Sequence, residues 1–304
     1  MRNTFCDTII AELANRDDIF IISGDAGLGV FDDFSKQRPD RFLNLGVAEQ
    51  NMLSHAAGMA MAGFKVFVYN IVPFVIYRSF EQVRNDICYQ ELPVTMIGIG
   101  SGLTYAPQGM THYSIEDLTV AMTMPNLRVF SPADPAEARA AAHACLNADT
   151  PCYVRLAKRG EPVLHSTPPT DVSKPLLLAE GKEVAIVVHG PIAADVLAAA
   201  EQLRAQGLTP RVVSVPQIAP LDMEAINAAV AGCRNVLVIE EHFINGGLGT
   251  RIAQWRALND APWKLHLMAL PNEFVHVIRN QNGMREHYAL DVPSMVARVK
   301  AIAV

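Results

Sequence analysis

Short apolar runs rich in Val and Ile alternate with longer segments of helical period along the first half of the chain. The runs fall at 19–22, 66–69, 94–99 and 127–130, with a shorter one at 42–45. Consecutive apolar positions, without a polar alternate, mark strands covered on both faces, as in parallel sheets. Between them, helical spacing predicts helices over about 3–15, 49–62, 74–89, 114–124 and 135–147. The last two have start signals at His112-Tyr113-Ser114 and at Asp134-Pro135. Six strands and five helices make one α/β domain, residues 1–160, with a mostly parallel sheet flanked by helices. The pattern then lapses into RGEPVLHSTPPTDVSKP at 159–175, with four prolines and no period. That reads as a linker over 161–175. Alternation resumes at 184–188, with a helix near 193–206, apolar runs at 211–215, 223–230 and 236–239, a helix after Gly249 and a run at 265–267. A second, smaller α/β domain therefore occupies 176–304. No solenoid period is visible.

Composition narrows the function classes. The 304 residues are 50% hydrophobic and 18% charged, with a formal net charge of −6 and no basic block. Nucleic acid is not an expected partner. No apolar run reaches the roughly 20 residues of a membrane span, and the N-terminus lacks the pattern of a signal peptide. A cytoplasmic location is expected. The five cysteines form no CxxC pair, so neither a disulfide framework nor a zinc site is expected.

The common catalytic signatures are missing. GDAGLG at 24–29 follows a strand but lacks dinucleotide-binding spacing, and there is no P-loop, HExxH or GxSxG. Attention falls instead on GVAEQNM at 46–52, which runs off a short strand into a helix with Glu49 in its first turn. This places a carboxyl at the carboxyl edge of the sheet, where open α/β folds bind ligands. By position alone, such a Glu complements the helix dipole, worth about 0.3–1 kcal/mol.

GVAEQNM with its PDRF lead-in at 39–42 resembles the pyrimidine-binding domain of transketolases and 1-deoxyxylulose-5-phosphate synthases. Further segments match in order: RSFEQVRND at 78–86, GMTH at 109–112 with Glu116 and Asp117, PN at 125–126, and SPAD at 131–134. PLD at 220–222, EEH at 240–242 and GGLG at 246–249 resemble the family's C-terminal domain. The resemblance implies a thiamine-diphosphate enzyme that moves a two-carbon ketol unit from a ketose or ketose phosphate to an aldose. Glu49 would hydrogen-bond a ring nitrogen of the cofactor's aminopyrimidine and so assist proton loss from the thiazolium carbon. Phe74 or Tyr77 would lie against the pyrimidine, and His112 would face the substrate. Arg2 and Arg159 fall near phosphate-binding positions of the family.

Two departures put the sugar in doubt. Gln108 stands where many members carry Asp, and Gly100 stands where they carry a phosphate-binding His. The diphosphate domain, whose GDG and downstream Asn hold a divalent metal, has no counterpart. Asp25 and Asn51 mimic that spacing only superficially, and a domain of about 150 residues has no room upstream. The chain thus resembles the C-terminal subunit of a split transketolase. Such a subunit is active only with a partner chain that binds the diphosphate and most of the Mg2+ or similar cation, with no metal site of its own. Small residues along the helix after Glu49 suggest subunit contacts, hence a homodimer of this chain and a heterotetramer with the partner. The β subunit of the decarboxylating component of 2-oxo acid dehydrogenases, and a non-catalytic scaffold of the same fold, are the alternatives.

Overall fold

In the computed structural model, which describes residues 1–158 and 160–303, the predicted apolar runs form the strands of two sheets. In chain order the strands are β1 (Ile19–Ser23), β2 (Phe42–Asn44), β3 (Lys65–Ile71), β4 (Val94–Ile99), β5 (Arg128–Phe130) and β6 (Cys152–Leu156). They continue with β7 (Leu176–Ala179), β8 (Val184–Val188), β9 (Arg211–Ser214), β10 (Gln217–Ala219), β11 (Asn235–Phe243) and β12 (Lys264–Leu270). The first sheet has the order β10-β5-β6-β4-β3-β1-β2 and the second β12-β11-β8-β9-β7. Both are parallel except for β10 against β5 and β7 against β9.

Alternation along the central strands splits the core of the first sheet in two. Ile19, Ile21, Phe67 and Tyr69 face α1 (Arg2–Glu12) and α6 (Pro135–Leu146), which supply Phe5, Ile9 and Ala141. Their neighbours Ile22, Val66 and Val68 face α3 (Glu49–Met61), which supplies Met52, Leu53 and Ala56. Each strand is therefore buried on both sides, and its carboxyl end is left for loops that can carry chemistry.

Three expectations are revised. The helix expected over 74–89 is two π-helical turns, Pro73–Tyr77 and Val83–Cys88, around the single turn α4 (Phe80–Gln82). Hydrogen bonds from Arg78 N to Pro73 O and from Tyr89 N to Arg84 O, both five residues back, add a residue to each turn and rotate the chain beyond it. The helix expected from Ser114 starts three residues later, as α5 (Asp117–Met122), because Ser114 is spent on the Gly100 loop. The first sheet has a seventh strand, β10, donated by the C-terminal half. Between α1 and α3 lies a short helix, α2 (Asp32–Gln37), and the second sheet is covered by α7 (Ala193–Arg204), α8 (Met223–Ala229), α9 (Leu248–Leu258), α10 (Gln281–His287) and α11 (Val292–Ile302). Helices α2, α10 and α11 were not among those expected.

Buried polar groups fasten the two halves together. Ser131, just past β5, bonds His189 Nδ1 at 2.9 Å, and His189 Nε2 meets Glu240 of β11 at 3.2 Å. Glu240 in turn accepts the N–H groups of Leu248 and Gly249 at the start of α9. The segment expected as a linker is also clasped. Asp134 caps α6 by accepting from Glu137 N, and its other oxygen accepts from Leu164 N, each at 2.7 Å. Glu137 accepts from Ala133 N at 2.6 Å and pairs with His165 Nε2 at 2.8 Å. All four carboxylate oxygens thus face protein N–H groups.

The bond to Glu137 raises the pKa of His165 above its ordinary 6.5, against the opposing effect of burial. A raised folded pKa adds stability that is complete below about 6.5 and disappears as pH rises through the folded value. Urea midpoints should therefore fall between pH 6 and pH 9 by a component that His165→Asn removes. At pH 6 that variant should lose about 1 kcal/mol. A pH dependence identical in the variant would show that the clasp contributes nothing.

Candidate active site

Glu49 is brought to the sheet edge by a turn that needs glycine. Gly46 sits at φ +67 between β2 and α3, a conformation that costs other residues energy. Asn44 holds the turn by accepting from Gly46 N and from Asp25 N, both at 3.0 Å, so the loops after β1 and β2 are tied together. The resulting carboxylate is only 4% exposed at the first turn of α3, where the helix dipole favours negative charge.

Its partner is Arg78, whose Nη1 lies 2.9 Å from Glu49 Oε1. The Arg78 guanidinium also stands over the Phe74 ring, 4.5 Å from its centroid. Phe74 meets the His112 ring edge-on, at 5.8 Å and 71°, and His112 Nδ1 bonds Thr111 Oγ1 at 2.8 Å. Glu49, Phe74 and His112, singled out from widely separated segments, therefore form one group, and Arg78 connects the first two. Arg78 lay within a recognised motif, but nothing in the sequence marked it as a site residue. The π turn ending at Tyr77 sets its direction.

Tyr77 is placed differently. Its ring packs against the core beneath α3, and its hydroxyl is buried without a hydrogen-bond partner among the described residues. Burial first, and then the charges of Asp117 and Glu116, push its pKa well above the ordinary tyrosine value. Gln108 is exposed on the 3-10 turn Ala106–Gln108, four residues before His112.

The loop carrying Gln108 and His112 is held from the C-terminal half. Gly102 leaves space that Glu241 of β11 fills, and a side chain on Gly102 would collide with that carboxylate. Leu103 N donates to Glu241 Oε2 at 3.4 Å, while Arg285 Nε grips Glu241 Oε1 at 2.6 Å and Arg285 Nη1 pairs with Asp195 at 2.8 Å. Sequence reasoning assigned Glu241 and Arg285 no position in the site. The available signal was the charged EEH in the middle of the otherwise apolar VLVIEEHF strand.

Arg2 lies at the start of α1, on the face of the sheet opposite α3. Its charge lowers the pKa values of Tyr69 and Tyr105, which burial otherwise raises. Tyr105 packs into the space left by Gly100, and Lys158 Nζ stands 5.7 Å over its ring. The structure does not bring Arg2 to Glu49, and Arg159 lies outside the described residues. Asp25 and Asn51 are both exposed.

Comparison with known proteins gives the same frame from an independent direction. Residues 1–161 match the model for "Transketolase, pyrimidine binding domain", and residues 173–294 match "Transketolase, C-terminal domain". The chain is 32% identical to one of the two subunits of the apulose-4-phosphate transketolase of Actinobacillus succinogenes, over 97% of this chain and 96% of that one. It is 35% identical to the 6-deoxy-6-sulfo-D-fructose transketolase subunit of a Clostridium species, over 84% of this chain and 80% of the relative. A solved split-gene transketolase, described as an inactive β4 tetramer, superposes with a TM-score of 0.88 at 30% identity, covering 99% of this chain and 97% of that one. The chain belongs to the transketolase family and corresponds to the subunit that carries the pyrimidine-binding and C-terminal domains in its split members.

Proposed function

We propose that the chain is the pyrimidine-binding subunit of a two-chain, thiamine-diphosphate-dependent transketolase, and that Glu49, Phe74 and His112 are its contribution to the active site. The observation that carries this reading is the meeting, at one sheet edge, of a nearly sealed carboxylate, an aromatic face and an imidazole. These residues suit the pyrimidine end of the cofactor: a flat, apolar ring with a polar edge needs a face to lie on and a carboxyl to bond. When bound, the cofactor supplies a carbon nucleophile to the sugar carbonyl. Glu49 would hold and exchange a proton at the aminopyrimidine ring nitrogen, Phe74 would orient that ring, and His112 would move a proton at a sugar hydroxyl.

The diphosphate and its divalent cation would be bound mainly by the partner chain, since Asp25 and Asn51 are exposed and Asn51 points away from the core face of α3. The substrates would be sugars with an anionic end group. The names of the two relatives support this, as do Arg2 and Lys158 beside Tyr105. The boundaries that fit this division of labour are 1–160, 161–175 and 176–304.

In the reconstituted two-chain enzyme, Glu49→Ala should slow hydrogen–deuterium exchange at the thiazolium carbon by about a hundredfold or more, the range of general acid–base effects, while leaving subunit assembly intact. Exchange at the wild-type rate would reduce Glu49 to a helix cap.

Assembly gives a second test. The outward side of α3 and the turns after it expose Met61 and Tyr89, 63% and 80% accessible, and the similar split-gene subunit is a tetramer in isolation. We expect this chain to sediment as a homodimer that recruits two partner chains into a heterotetramer. A monomer that remains monomeric after the partner is added would overturn that arrangement.

A further inference from the structure

The guanidinium of Arg78 makes two contacts, one with the edge of Glu49 and one with the face of Phe74. These are the two contacts that a flat nitrogen ring would make in the same seat. A guanidinium is planar, presents N–H donors along its rim and stacks on aromatic faces. An aminopyrimidine shares each of those properties. With Cζ only 4.5 Å from the ring centroid, there is no room for a second flat group on that face of Phe74.

We propose that Arg78 is a stand-in for the cofactor's pyrimidine: it fills the seat in the chain by itself and swings out when the ring arrives. The inference rests on the reading of Glu49 and Phe74 as that seat. Three observations make the exchange physically open. Glu49 is sealed at 4% exposure, whereas Arg78 is 45% exposed, so the arginine already borders solvent and can leave by rotamer change alone. Glu49 is the one ion-pair partner of Arg78 among the described residues, so nothing else anchors the guanidinium in place. The residue also comes directly after the π turn Pro73–Tyr77, whose extra residue turns it toward Glu49 rather than along a regular helix.

The device has a consequence for assembly. Without it, Glu49 would be a buried carboxylate with no partner, a costly state. With it, an incoming ring must displace an ion pair and a cation–π contact before it binds. A pyrimidine by itself then gains little, and the cofactor gains fully only when its diphosphate is held at the same time by another chain. Arg78 thereby couples filling of the seat to the presence of the partner.

The full chain can be titrated calorimetrically with 4-amino-5-hydroxymethyl-2-methylpyrimidine, the ring without thiazolium or diphosphate. Arg78→Ala should bind it about tenfold more tightly than the wild type, as removal of a competing contact predicts. Arg78→Lys, which keeps the charge but loses the flat fork, should fall between the two. Equal or weaker binding to Arg78→Ala would overturn the proposal while leaving the seat in place. Binding by neither chain would overturn the seat, and the proposal with it. Should Arg78→Ala fail to fold, the wild type gives the same answer by nitrogen-15 arginine resonances. The Arg78 Nε–H signal, shifted by the Phe74 ring, should move to the position of an exposed arginine as the pyrimidine saturates. A signal that stays in place at saturation would overturn the proposal.

Discussion

A carboxylate sealed at the first turn of a helix must meet a donor or a cation, and the arrangement around Glu49 arises from that requirement. The helix N-terminus supplies part of the compensation and Arg78 supplies the rest. To bring Arg78 there, the chain breaks what would be a regular helix after β3 into π turns, and the same turn lays Phe74 under the guanidinium. On the other side, Gly46 and Asn44 bend the chain so that α3 starts with Glu49 facing inward. The electrostatic demand of one buried group thus accounts for several local irregularities that hydrophobic packing would not produce.

The C-terminal half serves this site from a distance. Its own side chains are absent from the Glu49–Phe74–His112 group, yet Glu241 fills the notch at Gly102 and fixes the loop on which Gln108 and His112 ride. Arg285 and Asp195 hold Glu241 in turn. The Ser131–His189–Glu240 chain and the antiparallel strand β10 join the same two halves further along the sheet. This half therefore acts as a frame that sets the geometry of the loop at the sheet edge.

Legibility in the sequence tracks physical scale. The parallel strands were legible because burial on both faces leaves continuous apolar runs, and α3 and α6 were legible because their stripes are long. The short pieces were not: α2 has six residues and β10 three, too few to set up a period. The π turns escaped because an inserted residue leaves composition unchanged and alters only direction. Glu49 and His112 could be proposed from motifs, and the structure brings them to one site. The choice between Phe74 and Tyr77 could not be made from spacing, since the turn between them decides which ring faces Glu49; Phe74 faces the site and Tyr77 the core. Arg78 and Glu241 required coordinates, because each matters through a contact with a distant segment.

The central claim is that Glu49 bonds the ring nitrogen of the cofactor's pyrimidine. It can be tested by a thermodynamic cycle that pairs Glu49→Ala with a thiamine diphosphate analogue in which that nitrogen is replaced by C–H. Affinities are measured for all four combinations in the assembled two-chain enzyme. If the carboxyl and the nitrogen are partners, the analogue and the natural cofactor bind Glu49→Ala equally, and the two losses do not add. Fully additive losses would show that Glu49 and the ring nitrogen do not meet.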